Sequence, residues 1–406
     1  MLRRAPATVS CWLALGAVAG LGCASHVVDP KPTLAFPEAD GEIDVLGELA
    51  AMLEVTARLE RTGIAHPPLR ELVDLEIAAM EAHVRARGRG TLDTSWRTAP
   101  QPAAIQQARA LFENELERLA VAGVQLAPYL GLQEGPRELG RVALNALGRR
   151  LGPDAAIMST DDEPADAGDL ALEQRDGIGY LGLRRLVDDV ADRAGAVLSQ
   201  WAAAEQPLRA LVLDLSRCEQ ATPDSANGLV QTFAPGRVAF EIELLDGKTR
   251  QRARRSYRGE PAFGSRAYAQ TPLFVVTSAR TGSFAEAVAR ALRRHRSAVV
   301  LGAAPIGEGR LMSWVTLPWN ASFGFTVGEL FDADGEAVRG TLLVPDACMS
   351  QGQLIAVPAR AAAEYHARCN AAEQVPGTLA IDYVRSTLPA TPAPAPIASP
   401  GGKPKA

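Results

Sequence analysis

Beyond residue 176 the sequence alternates short apolar strands with amphipathic helices, and this alternation limits the fold more than any other feature. A predicted hairpin at 238–257, turning at Asp246-Gly247, interrupts the alternation once. The predicted strands are 177–183, 208–215, 273–277 and 298–302, and the predicted helices are 186–204, 225–233 and 284–294. Strands that alternate with helices form a layered α/β core, which we place at residues 177–347.

The residues before this core have a different hydrophobic periodicity. Apolar side chains recur at three- and four-residue steps across 69–84, 105–119 and 139–147, which predicts an all-helical N-terminal domain at 43–158. The acidic, turn-rich residues 160–168 predict a linker at 159–176. After the core we expect a C-terminal helical segment at 348–388 and a disordered Pro/Ala-rich tail at 389–406.

The N-terminus has the pattern of an export signal. Arg3 and Arg4 precede an apolar run at 12–21 that is too short to span a bilayer. The run ends in Gly20-Leu-Gly-Cys23, which resembles a lipobox, although Gly20 departs from the Leu that the pattern prefers. We therefore predict a signal peptide at 1–22, acylation of Cys23, and a tether at 23–42. The alternative is an ordinary secretory signal in which Cys23 has no role.

Composition excludes some functions. The net charge of −5 gives no reason to expect a nucleic-acid partner, and no Cys/His/Asp/Glu spacing predicts a metal or cofactor site. Removal of the signal deletes Cys11 and acylation consumes Cys23, which leaves Cys218, Cys348 and Cys369. Cys348 and Cys369 either pair in an oxidising compartment or remain free thiols.

Five separated segments resemble, in the correct order, the tail-specific, carboxy-terminal-processing serine peptidases. One ends in Leu213-Asp-Leu215, where the family has Leu-Asp-Leu-Arg, and another carries Ser283 at the nucleophile position. The segments are 177–183, 208–215, 275–286, 298–302 and 332–346. The resemblance implies a ClpP/crotonase-like α/β core. It also implies membership of a family that includes interphotoreceptor retinoid-binding protein-like chains.

One part of the family architecture is missing. Residues 143–158 resemble the helix and turn that precede the family's PDZ domain, but only 159–176 separate them from the core. Eighteen residues are too few for a domain, because domains have about 50 residues or more. The usual device for capturing a substrate C-terminus is therefore predicted to be absent.

The resemblance implies a serine nucleophile, a lysine general base and an oxyanion hole made by glycines. Ser283 is present, but Glu308 replaces the lysine, and a carboxylate is a far poorer base for an alcohol than a lysine of lowered pKa. The supporting Asp and Gln positions hold Arg294 and Met312. Gln220-Ala221 stands where paired glycines allow close approach of the carbonyl. These substitutions predict impaired catalysis.

Ser283 has two interpretations. Ser283-Phe-Ala-Glu286 fits a capping box that opens the following helix, which explains the serine without chemistry. The alternative is a reacting nucleophile with another base. His295 is about 18 Å along the same predicted helix and cannot reach, which leaves His66 or His83 docking from the helical domain.

We therefore predict an exported, lipid-anchored periplasmic or outer-membrane pseudopeptidase that binds a protein or peptide. The alternative is an active serine peptidase with Ser283 and a non-standard base. The resemblance also implies a homodimer. Arginines at 252, 254, 255 and 258 predict a solvated strand face, with a docking patch for an acidic partner as the alternative.

Overall fold

The computed structural model describes most of the chain between residues 45 and 389. The described ranges are 28–29, 45–63, 66–88, 91–92, 95–97, 114–131, 134–159, 169–204, 208–245, 251–259, 268 and 270–389. The predicted signal peptide, Cys23, residues 105–112, the hairpin turn at 246–247 and the tail beyond Pro389 lie outside these ranges.

Among the described residues, four helices form the N-terminal region, as their apolar periodicity predicts. They are α1 (Val45–Thr62), α2 (Leu69–Arg87), α3 (Asn114–Leu126) and α4 (Gly135–Leu151). Pro136 at the second position of α4 suits a helix start, and α4 ends at Gly152, whose φ of 61° favours glycine. Short 3₁₀ turns lie at Ser95–Arg97, Ala127–Tyr129 and Gly152–Asp154.

A seven-stranded mixed sheet forms the centre of the α/β region, with strand order β15-β14-β11-β10-β6-β4-β3. Its inner strands are parallel and buried on both faces, which explains their unbroken apolar sequences. The strands are β3 (Leu170–Arg175), β4 (Ile178–Leu183), β6 (Ala210–Asp214), β10 (Leu273–Thr277), β11 (Val299–Gly302), β14 (Ala347–Ser350) and β15 (Gln353–Ala356).

Helices cover both faces of this sheet. On one face lie α5 (Asp188–Ala203), α6 (Pro223–Phe233) and α7 (Ser283–Arg296). The other face is covered by α9 (Gly377–Thr387), whose Ala380, Ile381 and Val384 pack on alternate residues of the same strands. The short helix α8 (Ala362–Arg368) follows a 3₁₀ turn at Pro358–Arg360.

A second sheet is mostly antiparallel. Its strands follow the order β1-β12-β13-β8-β9, and β2 also pairs with β13. The predicted hairpin at 238–257 is confirmed by the pairing of β8 with β9. The strands are β1 (Val28–Asp29), β2 (Ala155–Ser159), β8 (Phe240–Leu245), β9 (Arg252–Tyr257), β12 (Arg310–Leu317) and β13 (Ala321–Phe331). A two-stranded sheet joins β5 (Arg185–Leu186) to β7 (Gln220–Ala221).

The helical region does not form a hydrophobic core separate from the rest of the chain. Leu53, Met80 and Leu144 are fully buried in the same cluster as Phe323 and Phe325 of β13. The helices therefore bury their apolar stripes against the β12–β13 face. Within the described part of the chain, no separate small β-domain precedes Gly177.

Three sequence-based boundaries need correction. The predicted linker at 159–176 contains strand β3, which pairs antiparallel with β4. The predicted all-helical domain ends in strand β2, which pairs with β13. The predicted helical segment at 348–388 begins with strands, since β14 extends the central sheet and β15 pairs with it. Strands β2, β3 and β15 lie at sheet edges and β14 has only four residues, so none of them has the long, buried apolar run of the inner strands.

Cys348 and Cys369 form a disulfide that closes a separation of 21 residues and ties β14 to the end of α8. Beside it Tyr365 is buried, and its hydroxyl accepts a hydrogen bond from the Ala304 N–H at 3.0 Å. Cys218 is buried and free. Among the described helices none is long and apolar enough to cross a membrane.

Candidate functional site

Ser283 is the first residue of α7, at the end of the loop that follows β10. The N-cap is Gly282, with φ −71° and ψ 168°, and it has no side chain that could accept a hydrogen bond from the first turn. The predicted capping box is therefore wrong, because the helix begins one residue too early for Ser283 to cap it. Glu286 instead binds Arg290, whose Nε and Nη2 donate to Glu286 Oε1 at 3.0 and 2.7 Å.

Replacing Ser283 with alanine should change the free energy of unfolding by less than about 0.5 kcal/mol, because the side chain caps nothing. The matched control is Thr222→Ala in α6. Thr222 is a true N-cap whose Oγ1 accepts from the Ser225 N–H at 3.2 Å, so its loss should cost about 1 kcal/mol. Urea denaturation of the three proteins measures both values. An equal loss of unfolding free energy in Ser283→Ala and Thr222→Ala would instead support the interpretation of Ser283 as a helix cap.

The loop before Ser283 is bonded to the segment that follows β6. The Gly282 N–H donates to Cys218 O at 2.8 Å, and Thr281 Oγ1 donates to Leu215 O at 2.9 Å. Arg280 pairs with Glu219 at 2.5 Å on the surface of the same contact. A Cβ at Gly282 would overlap the Glu219 carbonyl, so only glycine permits this approach. The nucleophile loop and the predicted oxyanion segment therefore lie against each other.

Gln220 and Ala221 stand at the predicted oxyanion glycines and form strand β7. They pair in parallel with Arg185 and Leu186, and the next N–H, that of Thr222, donates to Leu186 O at 2.9 Å. Ala221 is buried. Side chains and strand pairing thus occupy a segment that the family resemblance predicts as an open glycine loop.

Glu308, at the predicted lysine position, lies on a turn between two glycines with positive φ. Gly307 and Gly309 have φ of 70° and 53°, and Gly307 O accepts from the Gly340 N–H at 3.0 Å. The Glu308 side chain is 49% exposed and pairs with Arg310 at 3.2 Å. Among the described residues the Ser283 hydroxyl has no hydrogen-bond partner, so Glu308 makes no hydrogen bond with it.

The carboxylate of Glu286, predicted only as part of the capping box, is buried one turn beyond Ser283. Glu286 is 1% exposed, and Arg290 ties it to the Thr341 carbonyl. Burial raises the pKa of Glu286, whereas Arg290 and the Gly307 N–H oppose that shift. The network joins α7 to the turn that carries Glu308. The Glu-Arg spacing of four residues was the only available signal in the sequence.

The other predicted support positions do not face Ser283. Arg294 binds Asp334 at 2.8 Å, about 16 Å along α7 from Ser283. Met312 Sδ lies 3.5 Å from Thr326 Oγ1 on the second sheet. Neither side chain supports a base at position 308.

The alternative bases are also engaged elsewhere. His83 Nε2 lies 2.7 Å from Glu138 Oε1, and His66 Nδ1 lies 2.7 Å from Pro67 O, both within the helical region. His295 Nε2 lies 2.8 Å from Val238 O at the far end of α7. Burial, reinforced by Asp214 and Glu219, raises the pKa of the Cys218 thiol to about 12, which removes it as a nucleophile.

The arginines of β9 are compensated by acidic neighbours. Arg252 pairs with Glu243 at 3.1 Å, and Arg254 lies 3.6 Å from Glu241 and 3.5 Å from the centre of the Phe331 ring. Such a face fits the solvated-strand interpretation better than a docking patch. In the described ranges no group of three His, Cys, Asp or Glu side chains could hold a metal ion.

Comparison with known proteins gives one family match. The family model described as Peptidase family S41 matches residues 177–349. A comparison with curated proteins found no match.

Several solved structures are similar to the chain. A lipoprotein from Streptococcus agalactiae is 17% identical, with 71% of this chain and 94% of that one covered and a TM-score of 0.43. The photosystem II D1 C-terminal processing protease is 19% identical over 48% of this chain and 47% of its own, with a TM-score of 0.33. Mature CPAF complexed with lactacystin is 11% identical over 41% and 46%, with a TM-score of 0.33. The chain thus spans less than half the length of the last two.

Proposed function

Residues 177–349 form a domain of peptidase family S41, and from that premise we propose that the protein is a catalytically impaired member that binds a protein or peptide. The observation that carries the proposal is the environment of Ser283. Its hydroxyl has no partner among the described residues, and the Glu308 carboxylate that replaces the base is half-exposed and paired with Arg310.

A serine hydroxyl becomes a useful nucleophile only when a positioned base accepts its proton. Lysine does this when burial lowers its pKa, and it can then return the proton to the leaving amine. The Glu308 side chain is 49% exposed and makes no hydrogen bond with Ser283.

The oxyanion segment supports the same conclusion. Stabilising the tetrahedral intermediate requires N–H donors that point at the developing charge, and one lost donor costs about 3 kcal/mol of barrier. Here the Gly282 N–H is already used by Cys218 O, and Gln220-Ala221 is paired with β5. Restoring the base alone therefore leaves the second requirement unmet.

The test is peptide release from casein together with labelling by a fluorophosphonate probe. Wild type, Ser283→Ala and Glu308→Lys should all show no serine-dependent release, and labelling of folded wild type should match that of Ser283→Ala. Ser199→Ala is the control, because Ser199 lies exposed on α5 and its hydroxyl donates to Gly195 O. Cleavage by wild type that Ser283→Ala abolishes and Ser199→Ala preserves would refute the proposal.

One observation favours the second candidate, an active serine peptidase. Because Ser283 does not cap α7, its retention has no structural explanation in this fold, and its hydroxyl lies half-buried beside the loop 215–219. Under this alternative, the general base that accepts the Ser283 proton is supplied by the substrate or by a second chain. Fluorophosphonate labelling that appears only when a protein substrate is added would support it.

We also propose that the protein is exported and anchored through acylated Cys23. The supporting observations are the charged start at Arg3 and Arg4, the short apolar run, and the Cys348–Cys369 disulfide, which suits an oxidising compartment. Metabolic labelling with a palmitate analogue should mark wild type and not Cys23→Ala. Equal absence of label in both would leave a secreted protein without an anchor.

A further inference from the structure

A cleft of about 290 Å³ opens at the carboxyl edge of β4 and β6, between the sheet and the N-terminus of α9. Its floor is formed by Tyr180, Gly182 and Asp214, and the segment 374–377 forms one wall. Ligands of open α/β sheets commonly bind outside the carboxyl ends of the strands, so the position suits a binding site.

This cleft lies on the opposite face of the sheet from Ser283. Alternate residues of β4 point to opposite faces, and Leu181 packs in the cluster that contains Phe284 and Val288 of α7. Tyr180 packs instead with Ile381 and Val384 of α9. The cleft is therefore separate from the surface that carries Ser283.

The cleft is rich in hydrogen-bond donors. Arg184 lines it half-buried and makes no ion pair with any described residue. Arg217 donates to Gln374 Oε1 at 3.0 Å, which leaves its other N–H groups and the Gln374 amide N–H₂ available. Ser216 is 5% exposed, and no described residue bonds its hydroxyl. Because Ser216 lines the cleft, its hydroxyl can donate to a bound ligand.

The start of α9 adds backbone donors to the same wall. Pro376 is the N-cap and provides no side-chain hydrogen bond to the first turn. Gly377 is so close to Tyr180 that a Cβ there would overlap the ring. The first N–H groups of an uncapped helix carry partial positive charge, which favours an anion.

The carboxylate of Asp214, which lines the cleft, already accepts hydrogen bonds from the protein. Asp214 accepts from the Tyr180 hydroxyl at 2.5 Å and from the Ser216 N–H at 2.8 Å. Burial, followed by the Asp214 charge, raises the pKa of Tyr180, so its hydroxyl remains a donor held by Asp214. Glu173 of β3 contributes a second negative charge near Tyr180. Asp169 adds a third negative charge near Arg184 and is itself paired with Arg185 at 2.7 Å. Two guanidiniums, the Gln374 amide and a helix N-terminus oppose these three carboxylates.

We propose that this cleft binds a small ligand through an anionic oxygen group, either a carboxylate or a phosphate. Arg184 and Arg217 bind the charge, and the Ser216 hydroxyl donates to one of its oxygens. The apolar part of the ligand lies on Ala171, Leu183 and Val375. The proposal holds whether or not Ser283 reacts.

The test is titration calorimetry of the full folded chain with benzoate and with inorganic phosphate, at ionic strength held constant with chloride. Wild type should bind at least one of the two saturably. Arg217→Gln should weaken that binding about tenfold, as expected for a lost charge-assisted hydrogen bond. Ser216→Ala should weaken it several-fold. Benzoate binding alone identifies a carboxylate ligand, and phosphate binding alone identifies a phosphate ligand.

Two controls separate the cleft from other surfaces. Ser283→Ala should bind like wild type, because Ser283 lies on the other face. Arg193→Gln should also bind like wild type, because Arg193 lies exposed on α5 with Asp189 3.8 Å away and does not line the cleft. No saturable binding of either anion, or equal affinity in Arg217→Gln and wild type, would overturn the proposal. A loss in Ser283→Ala would overturn it as well.

Discussion

Replacing Phe323 with alanine is expected to lower the free energy of unfolding by about 3–5 kcal/mol, the usual cost of removing a buried aromatic ring. Phe323 is 0% exposed and lies on β13, in the cluster that joins the four N-terminal helices to the second sheet. Its ring faces Gly148 of α4, where an added Cβ would lie 3.7 Å from Phe323 Cε2. No neighbouring side chain can fill such a cavity without moving a helix.

The measurement is urea denaturation followed by circular dichroism at 222 nm and by tryptophan fluorescence. Ser322→Ala is the matched control, because Ser322 is the adjacent, half-buried residue of β13 and should change stability by less than about 0.5 kcal/mol. Because the helices and β13 share one core, a single transition should shift by both probes. Two separate transitions, with the helical one unchanged in Phe323→Ala, would instead indicate an independent helical domain.

The sequence predicted the buried elements of this fold well. The strands at 178–183, 210–214, 273–277 and 299–302 are continuous apolar runs that are buried on both faces, so their composition alone identifies them. Strands β2 and β3 were missed because each pairs along one edge only, and because β2 is only five residues long and β3 has a mixed sequence. The shared core of the helices and β13 was also missed, since no local pattern records which surface an apolar stripe packs against.

The candidate site was predicted less completely. Family resemblance placed Ser283, Glu308 and Gln220-Ala221 in one region, and the bonds between loops 278–282 and 215–219 agree with that placement. The capping interpretation failed by a single residue, which is the usual uncertainty of a helix start. The cleft at Tyr180 and Asp214 had no sequence signal. Its walls come from β4, β6 and the segment before α9, which meet only in the folded chain.

The stability of the helical region is expected to fall as pH rises from about 5 to about 8, because of Glu76. Glu76 on α2 is completely buried, and burial raises its pKa to about 8, although the Thr56 hydrogen bond partly opposes the shift. Thr56 Oγ1 lies 3.0 Å from Glu76 Oε1 and 3.1 Å from Met52 O. A protonated Glu76 can therefore donate to Thr56, while Thr56 donates to the Met52 carbonyl.

The sign follows from proton linkage. Between the ordinary pKa of about 4.5 in the unfolded chain and about 8 in the folded chain, the folded state binds more protons. The stabilisation is therefore complete below the unfolded value and is lost as pH approaches 8, with a slope of up to about 1.4 kcal/mol per pH unit. Glu76→Gln keeps the shape and the hydrogen bond to Thr56 but cannot ionise, so its stability should change far less across this range.

Urea denaturation of wild type, Glu76→Gln and Glu71→Gln at pH 5, 6, 7 and 8 measures this slope. Glu71 is an exposed acid in the first turn of the same helix, so Glu71→Gln should keep the pH dependence of wild type. The difference between wild type and Glu76→Gln removes the contributions of all the other ionisable groups, because the two proteins share them. Parallel curves for these two proteins would mean that Glu76 ionises without cost, and that solvent reaches it in the folded chain.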